Sequence, residues 1–475
     1  MHSIILASAQ QIAEKIRRKE ISCLEVADAH LERIERLNPK LNAFVDYIPD
    51  FVLAHARKAQ EGVQSGARLG PLHGVPLSIK SSIDVAGHRC ESGTLLRQGR
   101  RAVEDAPLVS RLRAAGAIIL GVTNAPELLM AWETDNLLYG RTNNPWDLTR
   151  TAGGSSGGEA AAIAAGLSAG GVGSDGGGSI REPSHFCGIC GLKPTPGRVP
   201  STGHFPKSGG PFALIGVVGP MARTIADVQL IFETIAGYDD GDPCSAPVHL
   251  SDAYKDDDRN LKSIRVGFFD DDGRTPVTLE TRNAVKSAAA LLSQYGFQVE
   301  PFRPDGLEES RQLWADFFVT AGRMIIEPTL RGRESEVSPI LREFMDAAHS
   351  KPAHSGDSLL AAWFGRDAVR EKVLLQMREY PILLCPVAAI PAFHHGERQW
   401  VVEGATVKYL DAWSYCEWFN LLGFPAAVVP MALSSEGLPI GVQIVGRPWQ
   451  EELVLAVAAQ LEEMRGPWGA PPLRD

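Results

Sequence analysis

The chain has 475 residues, with 47 Lys and Arg against 57 Asp and Glu, a formal charge of −10 with histidine neutral. An acidic chain without a long basic run lacks the cationic surface that displaces phosphate counterions, so nucleic acid is excluded as a partner. With 44% hydrophobic and 22% charged residues the composition is that of a globular protein, and the length admits up to about three domains.

The seven cysteines, Cys23, Cys90, Cys187, Cys190, Cys244, Cys385 and Cys416, are odd in number and scattered. That pattern favours free thiols in a reducing compartment over a disulfide framework. Charged residues follow the short apolar run Ile4–Leu6, which argues against a secretory signal. No stretch reaches the roughly 18 apolar residues of a membrane span. A cytoplasmic protein off the membrane is expected.

In chain order, Ser8 with Gln11 and Ser22 with Glu25 have capping-box spacing and predict two amphipathic helices, the second ending before Pro39. Strand-length apolar runs follow at Val75–Ile79 and Ala117–Val122, with a helix predicted over Pro107–Ala115. Strands at Ile264–Phe269 and Phe297–Val299 flank a helix over Leu279–Tyr295. Further strands are predicted at Pro381–Val387, Ala426–Pro430 and Ile440–Val445, and a helix over Glu451–Glu463. This alternation predicts an α/β protein: one large domain, residues 1–475, whose mixed twisted sheet is covered by helices on both faces. The charged, aromatic stretch Glu308–Arg378 lacks a strand and is read as a helical insertion (300–380) over the sheet and the substrate cleft. The acidic segment Asp239–Asp258 is expected to be an exposed connection.

Glycine supplies 13 of the 39 residues from Gly153 to Gly191, against 47 of 475 overall. Such density implies backbone conformations or close approaches closed to residues with a Cβ. The embedded run Glu159–Leu167 is helix-forming and small-sided, so the loops GGSSGG (153–158) and GGGS (176–179) bracket a buried helix. Three generic motifs occur here. The GxGxxG pattern at 171–176 lacks the strand-to-helix context and the later acidic residue of a dinucleotide site. Cys187 and Cys190 have CxxC spacing but no second pair of metal ligands, and read as buried thiols. Gly153–Gly157 fits a GxSxG nucleophile elbow, which would make the protein a Ser–His–Asp esterase with His185, His204 or a later histidine; the turn-forming residues before it do not form the strand an elbow needs.

A serine nucleophile needs a base and oxyanion donors. Gly176, Gly177, Gly178 and Ser179 offer consecutive N–H groups. A lysine made neutral by burial can be the base, and Lys80, at the end of the run Val75–Ile79, is a candidate, although local pattern alone favours a strand-end lysine reaching solvent.

The segments GGSSGG (153–158), GSDGGGSIR (173–181), FCGICGLKPT (186–195), LHGVPLSIK (72–80), NNPW (143–146) and NLLGFP (420–425) together resemble the amidase signature family of serine hydrolases, most closely over 70–200, the expected signature core, and 420–446. The resemblance implies a Ser–cisSer–Lys triad: Lys80 as base, Ser155 as the bridging serine on a cis peptide, and Ser179 as nucleophile. It also implies an oxyanion hole at Gly176–Ser179 and second-line support from Asp175 and Arg181. Ser81, Ala152 and Ser174 depart from the usual acidic residue, proline and threonine. No cofactor or metal is implied. Leu129 and Met130 match positions facing the acyl chain in fatty-acid amide hydrolases, and Trp413 is assigned to the same substrate pocket. Trp413 also stands seven residues before Asn420, where glutamine-hydrolysing amidotransferase subunits carry an aspartate, which weighs against that alternative. The expected function is hydrolysis of hydrophobic amides, anilides or carbamates, and of some esters, by a monomer or homodimer acting on small molecules.

Overall fold

A computed structural model describes residues 2–207, 209–251, 253–254 and 261–473. Eleven strands form one mixed sheet: β1 Phe44–Tyr47, β2 Pro76–Lys80, β3 Ile118–Thr123, β4 Gly170–Asp175, β5 Cys190–Lys193, β6 Val217–Ala222, β7 Arg265–Phe268, β8 Gln298–Pro301, β9 Ile382–Pro386, β12 Ala426–Leu433 and β13 Pro439–Gly446. Their order is β1-β3-β2-β4-β6-β5-β12-β13-β9-β7-β8, and β10 (Gln399–Val402) pairs with β11 (Ala405–Lys408) as a separate ribbon. Strand β2 is parallel to both β3 and β4, while β4 and β5 run antiparallel to β6. The result is the single-domain α/β architecture.

Period-two alternation sends neighbouring side chains to opposite faces of the sheet. On one face, Ala427, Val429, Val442 and Ile444 pack with Val285 and Leu292 of the Leu279–Tyr295 helix and with Val457 and Leu461 of the Glu451–Arg465 helix. On the other, Ala426 and Val445 meet Tyr415, Trp418, Phe419 and Phe424. These aromatics are therefore core. Both expected capping boxes form, at Ser8 and Ser22.

The second helix does not stop before Pro39 but runs Cys23–Leu41. Proline in a last turn forfeits one N–H bond, while the extra turn buries Leu41 completely. Asn42, left-handed at φ 52°, then closes the helix with its N–H on the Asn38 carbonyl at 2.7 Å.

Of the segment Asp239–Asp258, residues 252 and 255–258 lie outside those described, and the others form an irregular connection that is mostly exposed, as expected. Asp242 is buried, and its carboxylate accepts from the Ser201 N–H at 2.8 Å and hydroxyl at 3.0 Å. Through this one side chain the connection braces the Ser201 loop.

Residues 307–376 are mostly helical, with a π-helical stretch at Ala315–Ala321. They are tied to the body through Glu127, whose carboxylate accepts from Thr94 Oγ1 at 2.9 Å and from the Ser338 N–H at 2.7 Å. Among the described residues, no helix is long and apolar enough to cross a membrane.

Candidate active site

Parallel pairing of β2 with β4 delivers Lys80 and Asp175 to the same end of the sheet, where their strands finish. Carboxyl ends of strands are where open α/β sheets hold ligands. The Gly157–Ala164 helix follows the first glycine loop and is wholly buried. Its small residues permit close packing: a Cβ on Gly158 would lie 2.5 Å from the Asn124 backbone nitrogen.

Lys80 does not reach solvent. It is fully buried, and its Nζ lies 2.7 Å from Ser155 Oγ, 3.0 Å from Ser156 Oγ and 3.0 Å from Ser174 Oγ. Burial pushes its amine from 10.5 down to about 7, against the upward pull of the Asp175 and Glu159 carboxylates. Ser156 Oγ also lies within reach of the Ser174 carbonyl, at 3.2 Å. With its proton given to that carbonyl, Ser156 Oγ accepts from Lys80, as Ser174 Oγ can. A neutral amine then has its lone pair left for the Ser155 hydroxyl. Neither Ser156 nor Ser174 was singled out as a Lys80 partner from sequence; a hydroxyl retained where the family carries threonine was the available signal at 174.

The Gly154–Ser155 peptide is cis. A Cβ on Gly154 would sit 2.6 Å from both the Ala131 carbonyl oxygen and the Glu133 nitrogen, which are backbone and cannot yield cheaply. Gly154→Ala is accordingly expected to cost at least about 1–3 kcal/mol and most of the activity; thermal melting and turnover of the purified variant check this. The Gly154 N–H donates to Glu182 Oε2 at 2.9 Å, and burial holds that carboxyl well above the ordinary range.

Ser179 faces the same cavity as Ser155, and its carbonyl accepts the Ser156 N–H at 3.2 Å. The Gly178 N–H is engaged by Asp175 Oδ1 at 2.7 Å, so the assignment of Gly178 as an oxyanion donor is corrected. The loop retains the N–H groups of Gly176, Gly177 and Ser179. The carbonyls of Gly176 and Gly177 each accept an indole N–H at 2.9 Å, from Trp314 and Trp132 respectively.

Asp175 and Arg181 form a fully buried pair. Burial alone would raise the Asp175 carboxyl, but the Arg181 charge and its hydrogen bonds outweigh it and hold the group well below the usual carboxylate range. Arg181 also reaches Gln443 Oε1 at 3.0 Å, the Cys416 carbonyl at 3.0 Å and Asn420 Oδ1. This network ties the serine loop to β13 and to the Ser414–Leu421 helix.

Leu129 and Met130 line the cavity, together with Phe212, Val217 and Phe318. Atom-free space at the cavity and its solvent-open mouth together amounts to about 620 Å³. Trp413 does not line it. It has no exposed surface and sits among the rings of Trp132, Phe186, Phe393, Trp400 and Tyr409, so its substrate-binding assignment is corrected to core packing. An indole surrounded by five aromatic rings is more stably placed there than on a cavity wall. Of the histidines, His204 lines the cavity, whereas both ring nitrogens of His185 are taken by the Ile390 carbonyl and the Gly441 N–H. Cys187 and Cys190 are buried free thiols. Among the described residues, no three His, Cys, Asp or Glu side chains are grouped to hold a metal ion.

The profile of the Amidase family matches residues 25–455. The chain is 35% identical to an acylamidase of Rhodococcus erythropolis, covering 97% of this chain and 96% of the relative. It is 34% identical to an indoleacetamide hydrolase of Bradyrhizobium diazoefficiens (97% and 86%) and 32% to a glutamyl-tRNA(Gln) amidotransferase subunit of Carboxydothermus hydrogenoformans (96% and 96%). The crystal structure of a bacterial aryl acylamidase of the amidase signature family superimposes with a TM-score of 0.85 at 27% identity, over 98% of this chain and 97% of the other. Fold, glycine loops and sequence thus agree, and the chain belongs to the amidase signature family as an amide C–N hydrolase.

Proposed function

We propose that the protein hydrolyses amides with an apolar aryl or acyl portion through Lys80, Ser155 and Ser179, with anilides and carbamates as the related substrates. The observation that carries this reading is the buried Lys80 amine, 2.7 Å from Ser155 Oγ beside a cavity that also holds Ser179. Neutral Lys80 takes the Ser155 proton as Ser155 takes that of Ser179. The freed Ser179 oxygen attacks the carbonyl carbon. The N–H groups of Gly176, Gly177 and Ser179 receive the oxyanion, the flanking carbonyls being held elsewhere by the two indoles. Collapse expels the amine, which takes its proton back through Ser155. Water then cleaves the acyl-enzyme by the same relay in reverse; a carbamate would leave a carbamoyl-enzyme.

Leu129, Met130 and Phe318 supply the apolar wall, Phe318 from the helical stretch that covers the cleft. The names of two relatives, acylamidase and indoleacetamide hydrolase, favour small amides of this kind. Two alternatives are disfavoured. A glutamine-hydrolysing subunit would need an ammonium-binding carboxylate where this chain has the enclosed Trp413. A Ser–His–Asp enzyme would need a carboxylate behind its histidine, but His204 Nδ1 faces the Pro206 carbonyl at 2.9 Å and its Nε2 is not bonded to Ser179.

The pH profile tests the base. A lysine titrating near 7 is inactive when protonated, so kcat/KM is expected to rise about tenfold per unit below pH 7 and level off above it. A profile flat from about pH 6 to 9 would rule Lys80 out as a base titrating there. A panel of p-nitroanilides, carbamates and esters of graded acyl size is expected to favour aryl and medium acyl amides over glutamine with the isolated chain.

A further inference from the structure

Among the described residues that line the active-site cavity, two side chains carry a full charge, Asp175 and Lys207. The Asp175 charge is turned inward: Arg181 and the N–H groups of Gly178 and Ile180 occupy both of its oxygens. His204, also on the wall, is held neutral by burial, which pushes its imidazole down to about 4. Lys207 is exposed and has no hydrogen-bond or ion-pair partner among the described residues. The carboxylates packed against its loop are engaged elsewhere. Asp84 pairs with Arg100 at 2.6 Å, and Asp239 and Asp242 accept from the hydroxyls of Thr202 and Ser201. With Lys80 neutral, the cavity therefore presents one uncompensated positive charge, in a chain whose formal charge is −10.

The backbone leading to Lys207 is pinned. The Phe205 N–H donates to the Ser82 carbonyl at 2.8 Å, and the Pro206 carbonyl accepts from His204 Nδ1 at 2.9 Å. The Arg97 guanidinium lies 3.6 Å over the Phe205 ring, with its Nε donating to the Cys90 carbonyl at 3.2 Å, and adds a second cation behind this loop. Further along, Phe212 meets Phe318 of the helical stretch edge-on, ring centroids 6.2 Å apart. Being both exposed and part of the wall, Lys207 stands at the mouth of the cavity. Its flexible four-carbon stem lets the ammonium follow a ligand there. Leu128, Leu129, Met130 and Phe318 make the wall apolar further in.

We propose that Lys207 is a specificity-determining residue that selects amides whose apolar acyl chain ends in a carboxylate, the half-amides of dicarboxylic acids. The scissile carbonyl sits at Ser179, the chain runs along the apolar wall, and the terminal carboxylate meets Lys207 at the mouth. The proposal rests on the amide-hydrolase reading above and adds the charge that its substrate carries. A carboxylate drawn to the edge of an apolar cavity loses part of its hydration, and a cation placed there offsets the loss. At a mouth open to water such a pair contributes a modest factor that salt reduces, so Lys207 sets a preference among chains that the apolar wall already admits.

The mono-p-nitroanilides of succinic, adipic and suberic acid test this against near-isosteres ending in isopropyl in place of the carboxylate, and against analogues ending in an ammonium. At low ionic strength the carboxylate member of at least one length should have a kcat/KM about 3- to 10-fold above its isopropyl isostere, and further above its ammonium analogue. Salt at about 0.5 M should shrink both ratios. Lys207→Met should bring the carboxylate-to-isopropyl ratio down at least about threefold, and Lys207→Glu should turn the preference towards the ammonium analogue. Because Lys207 is exposed, both variants should keep the melting temperature of the parent. A carboxylate-to-isopropyl ratio of one or less at every length, or a ratio unchanged in Lys207→Met, overturns the proposal. If none of the anilides is hydrolysed, the amide reading fails. The proposal is then decided by protection of Ser179 against a fluorophosphonate. Tighter protection by a carboxylate member than by its isostere, lost in Lys207→Met, upholds it; equal protection, including none by either, overturns it.

Discussion

Ser179→Ala is expected to lower kcat/KM for every amide substrate by at least about 10⁴-fold and to end labelling by a fluorophosphonate. The fold should survive, because the contribution of Ser179 to the scaffold is its backbone carbonyl, which receives the Ser156 N–H at 3.2 Å. Alanine keeps that bond. Ser155→Ala should behave differently: it removes the hydroxyl 2.7 Å from Lys80 Nζ but leaves the attacking oxygen in place. Slow labelling should therefore persist in Ser155→Ala and vanish in Ser179→Ala. Persistent labelling of Ser179→Ala would mean that another group attacks. Mass spectrometry of the labelled peptide distinguishes the cases, and an unchanged melting temperature shows that the comparison concerns chemistry.

Arg181→Met is expected to destabilise the protein by about 3–5 kcal/mol, because it strands a buried carboxylate. Asp175 and Arg181 are both fully buried, and Asp175 Oδ1 and Oδ2 also accept from the N–H groups of Gly178 at 2.7 Å and Ile180 at 3.0 Å. The loop bearing Ser179 is thus folded around this carboxylate, and losing the cation should slow fluorophosphonate labelling as well as lower stability. The double variant Asp175→Asn/Arg181→Met should be less destabilised than Arg181→Met alone, since no charge is then left unpaired. Urea unfolding midpoints of the three variants check the order. A double variant worse than Arg181→Met would mean that Asp175 acts through its backbone donors more than through Arg181.

Much of the framework was legible because it is written locally. Ser8 with Gln11 and Ser22 with Glu25 formed their caps, and the Leu279–Tyr295 helix has the predicted bounds. Glycine density marked the two loops where backbone approaches backbone, as at Gly154. What local pattern did not reveal depends on distant chain segments. Lys80 at a strand end reads as solvent-bound until β4 and the Gly157–Ala164 helix are laid over it. The Gly178 N–H counted as an oxyanion donor until Asp175 folded back three residues to take it. Trp413 looked like pocket wall because its aromatic neighbours in sequence are close by; its enclosing partners Trp132, Phe186 and Phe393 come from three other regions. His204 had no spacing to select it, since its place beside Lys80 follows from the link between Phe205 and Ser82.

The grip of Trp314 on the Gly176 carbonyl bears on engineering. Exchanging residues 307–376 for the matching stretch of a relative is the natural way to graft a new acyl preference. This stretch also holds one peptide of the loop proposed to receive the oxyanion. A chimera lacking an indole at that point would gain a differently shaped cleft and lose turnover with every substrate, so selectivity and speed are not separable modules here.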